Sequence, residues 1–408
     1  MISDRFVAAV VVVSVALAGA ACGGAPPAVD LDGYTWGQVS DEAPWGARAG
    51  LRVVEHDDAL FVLGGRTPRD STIPGDSDIH GDVWRSDDGG VTWTLLHDGL
   101  GDDDWPARAY FQAAVKDGEI FVIGGQDYGL TDNPFCELLE QGMEPPPWID
   151  YDPDAPCPEF LPTSAFFNDV WASADGIEWE QRTAAAPWTG RAGLSAVTLG
   201  DHLYVLGGSQ NDDASLIGPS GPTRIYYNDV WRSVDGTDWE QMTDAAPWDP
   251  RAGASVVAHE GELWLFGGEV GFVCEPLPDC EPPYFNDVWR SVDGAEWTLV
   301  TASAGWSPRP GHQCEVVRAG FVCFGGFGLI ENPIDVWSSP DGETWTLVEG
   351  APWNAAGPEE ARYDFDSIAV GAPGAERILT VGGDRETFDF DDPDNWTRVD
   401  DDVWSFGP

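Results

Sequence analysis

The chain has 408 residues, in which 71 Asp and Glu stand against 20 Lys and Arg, for a formal net charge of −51. A nucleic-acid backbone demands a positively charged footprint, so this balance argues against a nucleic-acid partner. Solubility or salt tolerance explains such acidity without any partner, and we weigh that explanation above specific cation binding.

Residues 1–21 have the pattern of a targeting segment. Arg5 precedes an apolar run over residues 6–18 that is too short, and too small in its residues, for a membrane span. The run ends in Leu-Ala-Gly-Ala-Ala-Cys, which resembles a bacterial lipoprotein signal. This resemblance implies that Cys22 carries lipid and anchors the protein in the cell envelope, outside the cytoplasm. Cleavage after Ala20, which would release a secreted protein, is the alternative.

Six near-identical units follow a tether over residues 22–31. In each unit a Gly-Gly pair closes a strand-like run, and an Asp-Val-Trp comes later. A period of roughly 50 residues with strand-like segments is typical of propeller repeats. The Gly pairs begin at Gly64, Gly124, Gly207, Gly267, Gly325 and Gly382, and the Asp-Val-Trp tryptophans are Trp84, Trp171, Trp231, Trp289, Trp337 and Trp404.

Each unit predicts four short strands separated by Gly, Asp or Pro, which in the first unit are residues 52–55, 59–63, 82–86 and 91–96. The Arg that opens a unit lies 16 residues before its first Gly in five units, and this constancy fixes the length of the first hairpin. Between the third and fourth strands stands Ser-x-Asp-Gly-x-x-Trp. Short Ser and Asp side chains can bond the backbone of their own turn, so we expect the repeated Asp to be structural rather than catalytic.

The last unit contains three strands before the chain ends. Near the opposite end, Asp32-Gly33-Tyr34-Thr35-Trp36 matches the fourth-strand signature and has no other strands of its own. We therefore expect residues 32–39 to complete the sixth blade and remove an exposed sheet edge. The sequence predicts an all-β fold over residues 32–408, a six-bladed propeller of four-stranded antiparallel blades that is closed by an N-terminal strand.

Two known families resemble parts of this pattern. The Gly-Gly pairs and the Trp that follows resemble kelch repeats, of the kind also found in the central domain of galactose oxidase. The Ser-x-Asp-Gly-x-x-Trp turns are similar to the Asp-box of sialidase-type propellers. Together the resemblances cover nearly all of residues 32–408. The chain departs from the kelch pattern in using Asp-Val-Trp where a Tyr is usual, and Ala356 stands where the other five units have Arg.

Seven cysteines leave an even number once Cys22 is set aside. The remaining six form three pairs that are each close in sequence, which predicts local disulfides and an oxidising compartment. The six His are scattered and no Cys-x-x-Cys occurs, so zinc is disfavoured. The predicted pairs are Cys136 with Cys157, Cys274 with Cys280, and Cys314 with Cys323.

Consecutive strands alternate in direction, so two sets of connections share one face of the predicted propeller. We call this the loop face: it carries the connections from second to third strands and from fourth strands to the next unit. The first set varies greatly, with 11 residues from the Gly pair to Trp337 but 46 to Trp171. Variable loops on a rigid scaffold are the usual place of recognition, here of a protein or glycan ligand. Trp148 and Trp396, in long loops, are the candidates for stacking on a sugar.

The Arg that opens each of five units also belongs to the loop face, near the central channel. In kelch-like domains Arg residues at this place help to bind acidic peptides, so the resemblance implies a candidate anion-binding centre. The alternative, which we favour, is that each Arg pairs with an Asp of a neighbouring blade and locks the ring. The residues are Arg48, Arg108, Arg191, Arg251 and Arg309.

Calcium is the remaining cofactor candidate, through acidic residues in the predicted loops. None has the spacing of a recognised calcium loop. These residues are Asp76, Asp78, Asp212, Asp213, Asp389, Asp391, Asp392 and Asp394.

No catalytic motif stands out: there is no nucleophile elbow, phosphate loop or HExxH. The sequence favours an envelope-anchored, monomeric, non-catalytic binding module. A glycan-active hydrolase or lyase and a calcium-stabilised structural envelope component are the alternatives.

Overall fold

The computed structural model of the chain describes residues 28–69, 76–100, 105–132, 160–210, 224–271, 284–328, 332–351, 353, 361–386 and 397–408. These residues form six four-stranded antiparallel sheets and two smaller two-stranded ribbons. The sheets are the blades of a six-bladed β-propeller, as the sequence predicts. Within the same ranges, no helix has the length and apolar character needed to cross a bilayer.

The strands follow one another in chain order around the ring. Before the first complete blade comes β1 (Thr35–Ser40). Blade 1 contains β2 (Arg52–His56), β3 (Ala59–Pro68), β4 (Ser77–Ser86) and β5 (Thr94–His97). Blade 2 contains β6 (Gln112–Lys116), β7 (Glu119–Ile123), β10 (Val170–Ser173) and β11 (Glu180–Thr183), with the ribbon β8 (Gln126–Asp132) and β9 (Phe160–Phe166) between its second and third strands.

The remaining blades repeat this order. Blade 3 contains β12 (Ser195–Leu199), β13 (His202–Leu206), β16 (Val230–Ser233) and β17 (Trp239–Thr243), with the ribbon β14 (Ser209–Gln210) and β15 (Ile225–Tyr226). Blade 4 contains β18 (Ser255–His259), β19 (Glu262–Glu269), β20 (Tyr284–Ser291) and β21 (Thr298–Thr301). Blade 5 contains β22 (His312–Val317), β23 (Gly320–Gly325), β24 (Val336–Ser339) and β25 (Thr346–Leu347), and blade 6 begins with β26 (Asp366–Val370), β27 (Arg377–Val381) and β28 (Val403–Gly407).

The N-terminal strand closes the ring, as predicted. β1 runs antiparallel to β28, with Trp36 opposite Phe406, and blade 6 has the order β1-β28-β27-β26. The Trp36 ring also lies 5.2 Å from the ring of Phe324 in blade 5. This pairing joins the two ends of the propeller and covers the edge that β28 would otherwise expose.

In blades 1 and 4 the Gly pair forms a bulge through which the second strand continues toward the loop face. In blade 1 the register of β3 against β4 shifts between Leu63 and Gly65, and pairing then resumes out to Pro68. Gly64 and Gly65 both have positive φ, 56° and 105°, which favours glycine. A Cβ on Gly64 would also lie 2.9 Å from the carbonyl oxygen of Arg108 in blade 2. The predicted strand over residues 59–63 is therefore longer in the structure.

The Ser-x-Asp-Gly-x-x-Trp turns are held by their own side chains. In blade 2, Ser173 Oγ accepts a hydrogen bond from the Gly176 N–H (2.8 Å). Asp175 Oδ1 accepts from the N–H groups of Ile177 (2.8 Å) and Glu178 (3.1 Å). The same bonds recur in blades 3, 4 and 5. The Asp carboxylate thus accepts hydrogen bonds from the backbone of its own turn.

Large rings fill the space between neighbouring blades. Trp105, in the segment between blades 1 and 2, packs against Phe111 and makes an edge contact with Trp179, their centroids 5.6 and 5.8 Å away. The buried cluster around Trp105 includes Leu63 of blade 1 as well as Val122 of blade 2, and the equivalent rings lie in clusters of the same kind, so this set of tryptophans packs between blades as the sequence predicts. They are Trp45, Trp105, Trp188, Trp248, Trp306 and Trp353.

One of the three predicted disulfides lies within the described residues and is confirmed. Cys314 in β22 and Cys323 in β23 are directly opposed across the first hairpin of blade 5 and form a disulfide, with their Cα atoms 4.1 Å apart. The other predicted pairs, Cys136 with Cys157 and Cys274 with Cys280, lie outside the described residues, as does Cys22.

Candidate functional site

The first strands of all six blades surround a central channel. A cavity of about 460 Å³ lies there, and its wall includes residues of β2, β6, β12, β18, β22 and β26. One end of the channel is at the loop face. The other is at the hairpin face, defined as the side that carries the turns between first and second strands and between third and fourth strands.

A closed ring of backbone hydrogen bonds surrounds the loop-face end of the cavity. Each of six equivalent residues donates its N–H to the carbonyl oxygen of its counterpart in the preceding blade, at 2.8–3.3 Å. All six have φ between 49° and 64°. We call this set the backbone ring: Gly50, Tyr110, Gly193, Gly253, Gly311 and Asp364. The backbone ring ties every blade to both neighbours at the mouth of the channel.

A second ring, made of side chains, lies two residues further along each first strand. For example, Gln112 Nε2 donates to the Leu194 carbonyl oxygen of the next blade (2.9 Å). At the seam between blades 6 and 1 the link is an ion pair, Arg52 to Asp366 at 3.1 Å. The members are Arg52, Gln112, Ser195, Ser255, Gln313 and Asp366, and all line the cavity. The polar groups of the cavity wall are therefore largely engaged in holding the blades together.

The five Arg residues singled out in the sequence form one repeated ion pair with the Asp of Asp-Val-Trp. In blade 3, Arg191 bonds both carboxylate oxygens of Asp229 (2.5 and 3.1 Å) and the Gly207 carbonyl oxygen (3.0 Å). The Asp also accepts from the Trp231 indole N–H (2.8 Å). The other pairs are Arg48 with Asp82, Arg108 with Asp169, Arg251 with Asp287, and Arg309 with Asp335.

The structure corrects two details of the locking hypothesis. The partner Asp belongs to the same blade as the Arg, not to a neighbouring blade. In addition, blade 6 has its own Arg: Arg362 pairs with Asp402 at 2.5 Å and donates to the Gly382 carbonyl oxygen at 3.2 Å. The sequence pattern missed Arg362 because it lies 20 residues before its Gly rather than 16. Ala356, which stands three residues after Trp353 as the Arg does after the equivalent Trp in the other five units, lies outside the described residues.

In all six blades the same guanidinium bonds the carbonyl oxygen of the first Gly of the pair and the Asp of Asp-Val-Trp, although the spacing from Arg to Gly is 16 residues in five blades and 20 in blade 6. All six Arg are buried, with side-chain exposures of 0–3%. Arg191 is also covered by the Tyr227 ring, 3.7 Å from the guanidinium carbon. None of the six is among the residues that line the cavity. The geometry of the six therefore matches the structural role, with each positive charge already paired with a carboxylate.

A different arginine reaches the channel mouth on the loop face. Arg66 Nε donates to the hydroxyl of Tyr110, a member of the backbone ring, at 2.6 Å, and Arg66 also pairs with Asp384 at 2.7 Å. Burial raises the pKa of the Tyr110 and Tyr363 hydroxyls well above the usual range, so both phenols stay neutral. We call Arg66, Tyr110 and Asp384 the Arg66 cluster, and it joins blades 1, 2 and 6.

Sequence reasoning missed the Arg66 cluster because only one unit has Arg at that position. A usable signal was present nevertheless. Arg66 and Asp384 each come directly after a Gly pair, in the first and the last unit. Ring closure makes those two units neighbours, so opposite charges at one repeat position predict an ion pair across the seam.

One carboxyl group in the cavity wall titrates near neutral pH. Glu315 accepts from the Ser367 hydroxyl (2.6 Å) and the Ala369 N–H (3.2 Å), both in blade 6. Burial raises its pKa to about 7, and the neighbouring Asp366 adds to the shift. The nearby His312 packs against Trp306, and burial, with Arg309, lowers its pKa to about 3, so it stays neutral.

The described ranges contain no group of three or more His, Cys, Asp or Glu side chains placed to hold a metal ion. Of the calcium candidates, Asp76 and Asp78 are bonded to Arg69, each at 3.0 Å. Asp212, Asp213, Asp389, Asp391, Asp392 and Asp394 lie outside the described residues, as do Trp148 and Trp396.

Comparison with known proteins supports the fold. No protein-family model matches the chain. A solved structure described as that of YjhT is similar to it over 90% of this chain and 96% of that chain, with a TM-score of 0.58. The two sequences are 17% identical, so the similarity concerns the fold alone. It agrees with a six-bladed propeller and assigns no activity to this chain.

Proposed function

We propose that this protein is a non-catalytic binding module that takes a protein or glycan ligand on its loop face and is anchored to a bacterial envelope through Cys22. We further propose that its repeats are kelch-like and that its Ser-x-Asp-Gly-x-x-Trp turns are Asp-box-like. The resemblances of the sequence support these assignments, and the propeller fold is consistent with them.

The contrast between the two faces is the observation that carries the proposal. On the hairpin face, the first and second strands of blades 1–5 are joined by turns of two residues. On the loop face, the connections in blades 1–4 continue as paired strands beyond the Gly pairs. Blade 2 has the longest ribbon, in which seven residues of β8 pair with seven of β9. Extended, variable connections on a rigid ring are typical of recognition surfaces.

The chemistry of the described loop-face centre favours binding over catalysis. A tyrosine nucleophile needs its phenolate, yet burial raises the pKa of Tyr110 and Tyr363 and keeps both neutral. The repeated Arg groups that could hold a substrate carboxylate are already paired with Asp, as Arg191 is with Asp229. Arg66 is likewise bonded to Asp384. A sialidase-like or other glycan-active enzyme remains the alternative function.

A glycan array with the purified protein tests the proposal. We expect binding without release of a cleaved product, and weaker binding by Trp148→Ala or Trp396→Ala. The matched control is Ile177→Ala, which removes a side chain that is 46% exposed on the hairpin face and should leave binding unchanged. Turnover of a bound glycan, lost on changing loop carboxylates, would favour the enzyme instead. A melting temperature that falls on chelation would favour the calcium-stabilised structural component.

The anchor is tested separately by metabolic labelling with palmitate. We expect the wild-type chain to take up label and Cys22→Ala to take up none. Equal labelling of the two would remove the lipid anchor and leave the secreted form, cleaved after Ala20.

A further inference from the structure

The direction of β1 determines the face from which the N-terminal tether leaves the propeller. β1 is the fourth strand of blade 6, and Thr35 at its start pairs with Gly407 at the end of β28. Third strands run from the loop face to the hairpin face, so Gly407 is at the hairpin face. The chain therefore enters the propeller at the hairpin face, opposite the variable connections.

Side-chain contacts hold the residues before β1 against the same face. The Tyr34 hydroxyl donates to the carbonyl oxygen of Glu376, next to β27 in blade 6 (2.6 Å). Arg318, in the turn between β22 and β23 of blade 5, donates to the Tyr34 hydroxyl (3.3 Å), and its guanidinium carbon lies 5.2 Å from the Tyr34 ring centre. Tyr34 is only 5% exposed. Tyr34, which lies between the tether and β1, is thus fixed to the hairpin ends of two blades.

The contacts continue toward the N-terminus. Arg318 also pairs with Asp30 at 3.4 Å. A Cβ placed on Gly320 would lie 2.4 Å from Val29, so Val29 packs closely on the start of β23. The described part of the tether therefore lies against the hairpin side of blade 5 at Val29 and Asp30 and does not turn toward the loop face.

The stretch between Cys22 and the described residues is too short to bring the anchor round to the loop face. Six positions separate Cys22 from Ala28, which at full extension span about 20 Å. A five-residue strand such as β12 is itself about 17 Å long, and the ribbons of the loop face extend beyond it. The five residues of β12 and the two of β14 together span about 23 Å, more than the extended tether, so an anchor at Cys22 cannot pass the loop face.

We infer that the hairpin face is the membrane-proximal surface of the anchored protein and that the loop face is presented away from that membrane. This inference rests on the proposed anchor and adds the orientation of the binding surface. The partner of the loop face must then approach from the side opposite the anchoring bilayer, and lipids of that bilayer are not its ligand.

Energy transfer from two positions in blade 3 tests the orientation. Asp201 lies in the hairpin-face turn between β12 and β13, Thr189 lies in the loop-face segment before Arg191, and both are exposed. A fluorescent amino acid replaces one or the other, and the protein is bound to phosphatidylcholine vesicles with an acceptor dye on the headgroups. We expect transfer from position 201 to be about two-fold more efficient, since the positions differ in height by about one strand, 17 Å.

Two modes of attachment separate this inference from the proposed anchor. The first uses the lipidated protein, and flotation with vesicles by wild type but not by Cys22→Ala supports the anchor. The second replaces residues 22–27 by six His, which keeps the length of the tether, and binds the protein to nickel-chelating lipid. More transfer from position 201 in the tagged protein supports the orientation. Equal transfer from both positions, or more from position 189, overturns it, whatever flotation shows.

Discussion

Replacing Arg191 by Ala tests the role of the six buried Arg-Asp pairs. The change removes two bonds to Asp229, one to the Gly207 carbonyl oxygen and one to the Thr189 carbonyl oxygen. It also leaves the Asp229 carboxylate, whose side chain is only 14% exposed, without its cation. Loss of one partner from a buried ion pair costs about 3–5 kcal/mol, because the remaining charge is desolvated and unpaired. We expect the free energy of unfolding to fall by that amount.

Equilibrium unfolding in urea, followed by tryptophan fluorescence, measures the change. Arg232→Ala is the matched control, since Arg232 lies in the same blade but pairs with Glu240, a side chain that is 64% exposed. An exposed pair contributes about 0–1 kcal/mol. Arg191→Lys should fall between the two, because lysine keeps the charge but cannot bond both carboxylate oxygens in the same way. Equal losses for Arg191→Ala and Arg232→Ala, or retained stability with loss of ligand binding, would refute the structural role and favour an anion site.

Two further changes act on blade 5. The folded protein holds a proton on Glu315 up to about pH 7, whereas the unfolded chain releases it near pH 4.5, so stability should fall by up to about 3 kcal/mol as the pH rises through that window. Melting curves at pH 5 and pH 8 should show this fall in wild type and in the control Glu343→Gln, which changes an exposed carboxyl group. Glu315→Gln should not show it. A pH dependence in Glu315→Gln equal to that of wild type would contradict the assignment. Changing Cys314 and Cys323 together to Ser should lower the free energy of unfolding by about 2–3 kcal/mol, as expected for a loop closed over a separation of 9 residues. Equal urea midpoints for oxidised and reduced wild type would show that the crosslink adds no stability.

The fold could be predicted from the sequence because repetition reports the same local structure six times. Gly64-Gly65, Asp82 and Trp84 recur at constant spacing, and the incomplete last unit itself indicates that residues 32–39 close the ring. The lengths of individual strands could not be predicted as well from the sequence. β3 continues past its bulge to Pro68 because its neighbour β4 continues with it, a pairing that the periodic pattern does not encode.

The candidate site could be predicted only in part, because its features depend on position around the ring rather than on the repeat. Arg191 was identified by its recurrence, but its partner in the same blade depends on how the Gly pair folds. Arg66 and Glu315 each occur in only one unit, so neither belongs to the repeated pattern by which the sequence was interpreted. Their roles follow from partners in adjacent blades: Asp384, across the closure between blades 6 and 1, for Arg66, and Ser367, in the next blade, for Glu315.

Closure of the ring by the N-terminal strand can be tested directly by a crosslink between β1 and β28. Gly37 is opposite Ser405, and a side chain at Gly37 would meet no atom within 4 Å. Under mild oxidation, we expect Gly37→Cys with Ser405→Cys to form a disulfide that peptide mass spectrometry detects. Thr35→Cys with Ser405→Cys, displaced two residues along the strand, should form little. Absence of the first crosslink, or equal yields from both pairs, would contradict a propeller closed between its two ends.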